Sequence, residues 1–305
     1  MSSTTHSYKP DNRNKDIQIN INGELFHRDE AKVSVFDSAF MLGDGVWEGL
    51  RVHHGRLAFP QLHLDRLWAG AKALDFDLGI TQQELLQRIY ATLEANDMTE
   101  GVHIRLMVSR GTKSTPYQDP RVTITPPTIV IIPEYKEAMP SSVVDGVELF
   151  TVHVRRGFPD VQDPKLNSHS KINCILACIQ ATKAGADEAL MLDPHGFVAT
   201  CNSTHFFIVK DGRVMTSTGQ FCIDGVTRGA VLRICKEQGI DHSECQFSLS
   251  DVYSADESFI TGTFAGVVPV TAVDGRQIGS GKRGEMVAAL QAHYQTLLEM
   301  ECGGG

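Results

Sequence analysis

The stretch 163-DPKLNSHSKINCILACIQATKAGADEALMLD-193 decides how this chain is built. It reads as the end of a strand, a turn, a helix and a further strand. The helix spans Lys171 to Ala184 and closes at Gly185, a residue type favoured just past a helix end. Strand-to-helix junctions in α/β and α+β proteins are frequent seats of chemistry. Four side chains at this junction have the polarity for it: Lys165, Asn167, His169 and Lys171.

Outward from this junction, the first half begins with strand signals. "IQININGEL" alternates apolar and polar residues, and "AKVSVFDSAF" and "GLRVHHGRLAF" read as further strands. "PQLHLDRLWAGAKALDF" carries Leu62, Leu67, Ala71 and Leu74 at helical spacing. Thr81 and Glu84 form a T-x-x-E capping box at the start of the next helix. "GVHIRLMVSRG" and "PTIVIIPEY" read as strands. Later, "EALMLDPHGFVATCNSTHFFIVKDGRVMTS" reads as three strands with turns at 194–196 and 211–212. A helix over "TRGAVLRICKEQG" follows, then strands around "ESFITGTFAGVVPVTAVDG" and a last helix from about Gly284 to Met300.

Strands come in runs rather than in strict βαβ alternation. That predicts an α+β fold of two domains with largely antiparallel sheets and packed helices. The expected division is a disordered lead-in over 1–15, an N-terminal domain over 16–135, a linker over 136–146, a C-terminal ligand domain over 147–300 and a tail over 301–305.

The whole-chain numbers narrow the function. With 305 residues, 42% hydrophobic and 21% charged, the composition is that of a soluble globular protein. Net charge is −9 with Lys and Arg scattered, which argues against a nucleic-acid surface. No apolar run is long enough to span a bilayer, and the polar N-terminus has no secretory h-region, so a cytoplasmic protein is expected. Seven cysteines show no repeated spacing. Cys174 and Cys178 share a helix face at i, i+4, but no further ligands match them, so free thiols and no metal are expected.

Several short stretches are candidate binding elements. In "DGVTRGAVLRI" (224–234), Gly225, Val226 and Thr227 would turn backbone N–H groups toward an anion at a helix entrance; the plainer reading is an N-cap by Thr227. "TGTFAGVVPV" (261–270) is a second small-residue loop able to cradle phosphate oxygens. Arg66, in "HLDRL", is either a solvated helix charge paired with Asp65 or a neighbour, or a fork-shaped phosphate donor. Trp47, flanked by glycines in "LGDGVWEGLRV", suits an aromatic wall beside a ligand. Arg105, Arg110, Arg155 and Arg156 are candidates for a substrate carboxylate.

Taken in order, "GDGVWEGLRV", "HLDRL", "ILACIQATKAGADEALMLDPHGFVA", "FFIVKDGRV", "GVTRGAVL" and "TGTFAGVVPV" resemble one family. It is the class IV aminotransferases, pyridoxal-phosphate enzymes of fold type IV that include branched-chain and D-amino-acid aminotransferases and aminodeoxychorismate lyase. The resemblance runs from about residue 18 to 298. It implies pyridoxal 5'-phosphate as cofactor, an amino acid or amine and a 2-oxo acid as substrates, and a homodimer. By position it implies phosphate contacts from Arg66, Val226, Thr227 and Thr263 with Gly225 at the helix entrance, and Trp47 near the substrate.

Two positions depart from the family pattern. Laid without gaps, the position of the catalytic lysine holds Asn167. The position of the glutamate that bonds the pyridine nitrogen holds Thr200. Transamination needs an amine to hold the cofactor as a Schiff base and to move the substrate proton. Asparagine can do neither. Lys171 and Lys165 are the amines that would substitute, and His169 is a possible general base. Three functions therefore stay open: an aminotransferase with a displaced lysine, a different enzyme on the scaffold that takes another phosphorylated ligand, and a catalytically silent binding homologue.

Overall fold

A computed structural model describes residues 7–303. Internal packing divides them into two units. The N-terminal unit holds 10–137, 166–171 and the residues from 299 onward; the C-terminal unit holds the residues up to 9, 138–165 and 172–298.

The N-terminal unit is one sheet with helices on its apolar face. Its strands are β1 (Gln18–Ile21), β2 (Glu24–His27), β3 (Gly45–His53), β4 (Arg56–Leu57), β5 (Val102–Ser109) and β6 (Thr128–Tyr135). They lie in the order β2-β1-β6-β5-β3-β4, antiparallel throughout. Its helices are α1 (Ser38–Leu42), α2 (Pro60–Ala73) and α3 (Gln82–Glu94). The period of two explains the sheet's two faces. Val102, Ile104 and Leu106 of β5 are buried in the same core as Leu64 and Leu67 of α2 and Leu85 and Ile89 of α3, while His103, Arg105 and Met107 take the opposite face. Each buried aliphatic side chain contributes roughly 1.5–3 kcal/mol, so a slip of one residue would be prohibitive. The Thr81–Glu84 capping box forms as expected.

One strand expectation fails here. "AKVSVF" forms no strand; the chain instead turns into α1, whose N-cap Asp37 accepts from the Ala39 amide at 2.9 Å. Asp37 also accepts from the Ser109 hydroxyl at 2.7 Å. A buried carboxylate with these two donors outweighs the β-propensity of Val33 and Val35, which remain exposed.

The C-terminal unit is built on a nine-stranded mixed sheet. Its strands are β7 (Val147–Thr151), β8 (Glu188–Leu192), β9 (Val198–Cys201), β10 (His205–Lys210), β11 (Arg213–Thr216), β12 (His242–Glu244), β13 (Glu257–Gly262), β14 (Gly266–Val273) and β15 (Arg276–Gln277). The order is β12-β11-β10-β13-β14-β7-β8-β9, with β15 on β14. The β11/β12, β7/β14 and β7/β8 ladders are parallel and the others antiparallel. The helices are α4 (Pro140–Val144), α5 (Pro159–Gln162), α6 (Ile172–Lys183), α7 (Val226–Glu237), α8 (Leu249–Tyr253) and α9 (Glu285–Glu301). Four strands, not three, occupy 188–216, because the turn between Cys201 and His205 reverses the chain once more.

The ends differ from the sequence reading as well. Of the expected disordered lead-in, residues 1–6 lie outside the described residues. Asn12–Lys15 is a short 3-10 helix whose Asn14 is buried and exchanges hydrogen bonds with the Tyr135 backbone at 2.8 Å each way. Within the expected linker, Pro140–Val144 is helical.

Candidate active site

Each unit presents one group of candidate residues. In the N-terminal unit the group is built on the first half of β3. Beyond the reach of β4, residues 45–47 have an edge to offer, and segment 166–171 lies against it. Ser168 bridges Val46 in antiparallel sense. The Trp47 amide donates to the Asn167 carbonyl at 3.0 Å, and the His169 amide to the Gly45 carbonyl at 2.9 Å. The Asn167 side-chain amide donates to the Trp47 carbonyl at 2.7 Å, and the Trp47 indole to the Ser168 carbonyl at 3.1 Å. Gly43, at φ 68°, sits against Ser170, where a Cβ would come 2.7 Å from the hydroxyl.

This latch places three of the four junction residues together. Asn167 is buried, its Oδ1 accepting from the Lys171 ammonium at 3.1 Å. That ammonium stands 5.4 Å from the centre of the Trp47 ring. His169 donates through Nε2 to the Val46 carbonyl at 2.9 Å. Burial pushes the His169 imidazole down, and Arg105 and Lys171 push it further, against a raising effect of the Val46 hydrogen bond and Asp37. A ring held this way is a neutral Nε2–H tautomer near neutral pH. Lys165 is elsewhere: it is exposed, in a turn where Asp163 accepts from its backbone amide. The strand geometry expected to bring Lys165 onto the face of Asn167 does not exist, because 163–167 is not a strand.

Arg105 stacks on the same indole, with its guanidinium carbon 3.8 Å from the ring centre. Its register partner on β3 is Gly49, so no side chain of that strand opposes it and it lies diagonally over Trp47. Burial pushes the guanidinium below its ordinary value, opposed by Glu134 and Glu48; arginine nonetheless stays charged. Arg110 and Arg156 are committed to structure. Arg110 pairs with Asp44 at 2.7 Å, and Arg156 donates to the carbonyls of Phe221 and Pro164.

Sequence reasoning missed the partner of Arg66. It is not Asp65 but Glu48, fully buried on β3, which accepts from Nε at 2.8 Å and from Nη2 at 2.6 Å. His63 Nδ1 lies 2.7 Å from the same carboxylate. Burial alone would push the Glu48 carboxyl up, but the hydrogen bonds from Arg66 and His63 overcome this and its net shift is downward. A signal was present: β3 alternates, so Glu48 shares the core-facing side with Val46, Leu50 and Val52, where a charge requires a partner.

In the C-terminal unit the candidates converge from three segments. His205 of β10 pairs in register with Thr261 of β13. The ring of His205 packs against Gly225, where any Cβ would overlap it. Gly225 is the N-cap of α7, and no side chain caps this helix although Val226 and Thr227 are buried. The Thr261 hydroxyl is buried without a hydrogen-bond partner, and Thr263 follows in the turn between β13 and β14. A buried, uncapped helix start next to hydroxyls is a donor set suited to a phosphate.

Thr200 lies at the end of β9 and is buried. Its hydroxyl donates to the Thr204 carbonyl at 2.8 Å. The Thr204 hydroxyl in turn donates to Glu188 at 3.0 Å. Position 200 thus offers a neutral oxygen whose proton is already engaged, with a buried carboxylate one residue behind it.

Comparison with known proteins gives a consistent picture. The family model for amino-transferase class IV matches residues 45–273. A putative branched-chain-amino-acid aminotransferase of Methanocaldococcus jannaschii is 39% identical over 285 residues, covering 92% of this chain and 96% of that protein. Branched-chain-amino-acid aminotransferase-like protein 2 of Arabidopsis thaliana is 38% identical and covers 92% of this chain. The chain spans about half the length of the two Arabidopsis relatives it matches, at 50% of each. Among solved structures, a T.th. branched-chain amino acid aminotransferase with pyridoxamine 5'-phosphate superposes at a TM-score of 0.86, with 29% identity and 95% of both chains covered.

Proposed function

From the premise that the chain belongs to the class IV aminotransferases, we propose that it binds pyridoxal 5'-phosphate and transfers an amino group between an amino acid or amine and a 2-oxo acid. One observation carries this reading: the Lys171 ammonium reaches the side chain of Asn167. Asn167 occupies the position where the ungapped family pattern has its lysine. An amine is therefore supplied at that locus from four residues along the chain.

When bound, the cofactor supplies an aldehyde that captures amines and a ring that takes up electrons from the substrate α-carbon. Lys171 provides the amine and carries the proton, the double role that general acid–base and covalent catalysis require. Asn167 and the Trp47 face hold that amine in place. The uncapped amides of Val226 and Thr227, the entrance Gly225, the hydroxyl of Thr263 and the guanidinium of Arg66 are assigned to the phosphate. Trp47 and Arg105 are assigned to the substrate, Arg105 gripping a carboxylate from its stacked position. Thr200 makes the site atypical, since it can accept a hydrogen bond at the ring nitrogen but brings no charge to hold a proton there. His169, neutral and donating to a carbonyl, is assigned to holding the latch rather than to proton transfer.

The exposed aliphatic stripe of Ile172, Ile175, Leu176 and Ile179 on α6 supports a homodimer, since water-facing branched side chains at i, i+3, i+4 and i+7 call for a partner. All seven cysteines are free, and no described helix is long and apolar enough to cross a membrane. The free thiols support a reducing compartment such as the cytoplasm.

The test is absorbance of the purified protein with added pyridoxal phosphate, then borohydride trapping and peptide mapping. The expected adduct is on Lys171. An adduct on Lys165, or none at all, overturns the reading.

A further inference from the structure

Glu48 presents a puzzle that the proposed function does not resolve. It is a carboxylate with no exposed side-chain surface, on the apolar face of β3, and it neutralises the arginine assigned to an anionic phosphate. Taken as charge alone, it opposes that role. Its geometry suggests a different use. Glu48 takes the Nε–Nη2 edge of Arg66 in a fork, which fixes the guanidinium plane. His63 and Arg66 stand at i, i+3 on α2, so both face the same strand residue. His63 is itself buried and anchors the carboxylate oxygen that accepts from Nη2. An arginine held on one edge loses its rotamer freedom before any ligand arrives, so binding does not have to order it.

We propose that Glu48 and His63 are positioning residues that pre-set the Arg66 guanidinium for the cofactor phosphate. The inference rests on the reading of Arg66 as a phosphate ligand. The alternative is a structural ion pair that stabilises the sheet–helix contact and nothing more. The two differ in selectivity. A positioning role concerns the phosphate alone, whereas a structural role affects every ligand of the protein alike.

The experiment measures dissociation constants of pyridoxal phosphate and of pyridoxal, which lacks the phosphate, by fluorescence on the full chain. Apoprotein melting is recorded beside them. Outer-shell partners at metal sites typically carry about 10–100-fold in affinity, and an effect of that order is expected here. Glu48→Gln should lower the preference for pyridoxal phosphate over pyridoxal by about tenfold or more. His63→Leu should lower it less, and His63→Asn, which keeps a donor near the Nδ1 position, should restore it. Arg66→Gln separates the two levels of argument. If it leaves the preference unchanged, Arg66 is not a phosphate ligand and both the assignment and this inference fall. If it lowers the preference while Glu48→Gln leaves it within twofold of the parent, the assignment stands and the inference is overturned. Should Glu48→Gln not give a cooperatively melting protein, the His63→Leu and His63→Asn pair decides: equal preferences in the two overturn the inference.

Discussion

The two groups of candidate residues are built from different materials. In the N-terminal unit the candidates are charged side chains held by other side chains: Glu48 with Arg66 and His63, Arg105 on Trp47, Lys171 on Asn167. In the C-terminal unit they are backbone amides and hydroxyls: the uncapped start of α7, Thr200 on Thr204, and the Thr261–Thr263 turn. The first kind of site depends on ionisation and on pairs that fail when one member is lost. The second depends on backbone placement, through amides and hydroxyls that do not titrate across the neutral range.

The sharpest break of this comparison is at Lys171. Lys171→Ala should abolish the borohydride-trapped adduct and lower turnover by about 10²–10⁴-fold, the usual worth of a positioned proton-transfer group. Steady-state rates with an amino donor and a 2-oxo acid check it, and turnover within tenfold of the parent would move the chemistry elsewhere.

Next is the buried pair. Arg66→Ala leaves the buried Glu48 carboxyl with only His63 beside it, and breaking a buried pair in this way costs about 3–5 kcal/mol. Denaturant unfolding of the apoprotein measures it. The same pair sets an acid limb. The folded Glu48 carboxyl lies below its ordinary value near 4.5, so its stabilisation is fully present above that value. It is lost as pH falls through the folded value. Melting temperature against pH should therefore separate the parent from Glu48→Gln at pH 7 and bring them together in acid. A constant separation down to about pH 3, below the ordinary carboxylate range, would contradict the pairing.

The C-terminal unit should respond to shape instead. Gly225→Ala places a methyl into the His205 ring and should destabilise by about 1–3 kcal/mol through overpacking, with weaker pyridoxal-phosphate binding as α7 shifts. Thr200→Val should have the smallest effect, about 1 kcal/mol. The Thr204 carbonyl that loses the hydroxyl still accepts from the Cys201 amide at 3.0 Å. A pH-dependent loss in either variant would erase the distinction between the two groups.

Much of this arrangement was legible in the residues. The capping box at Thr81, the helix that closes at Gly185, and the helix entrance at Gly225 are local signals, set by side chain–backbone chemistry within a few positions. "AKVSVF" misled because β-propensity there was overruled by Asp37, whose second donor comes from Ser109, 72 residues away. Lys165 and Lys171 could not be separated by spacing, since their distances from Asn167 depend on whether 163–167 is extended. Arg66 was recognisable as a phosphate candidate, but its partner Glu48 lies 18 residues earlier on another element.

The division follows from range. Periodicity, caps and motif order are written along the chain, and they were enough for the fold class and for the family. Which amine reaches Asn167, and which carboxylate holds the arginine, depends on the edge of β3 receiving segment 166–171 and on α2 crossing that strand. Hydrogen bonds and ion pairs act over about 3 Å in space whatever the separation in sequence, so these choices are made only when the elements pack.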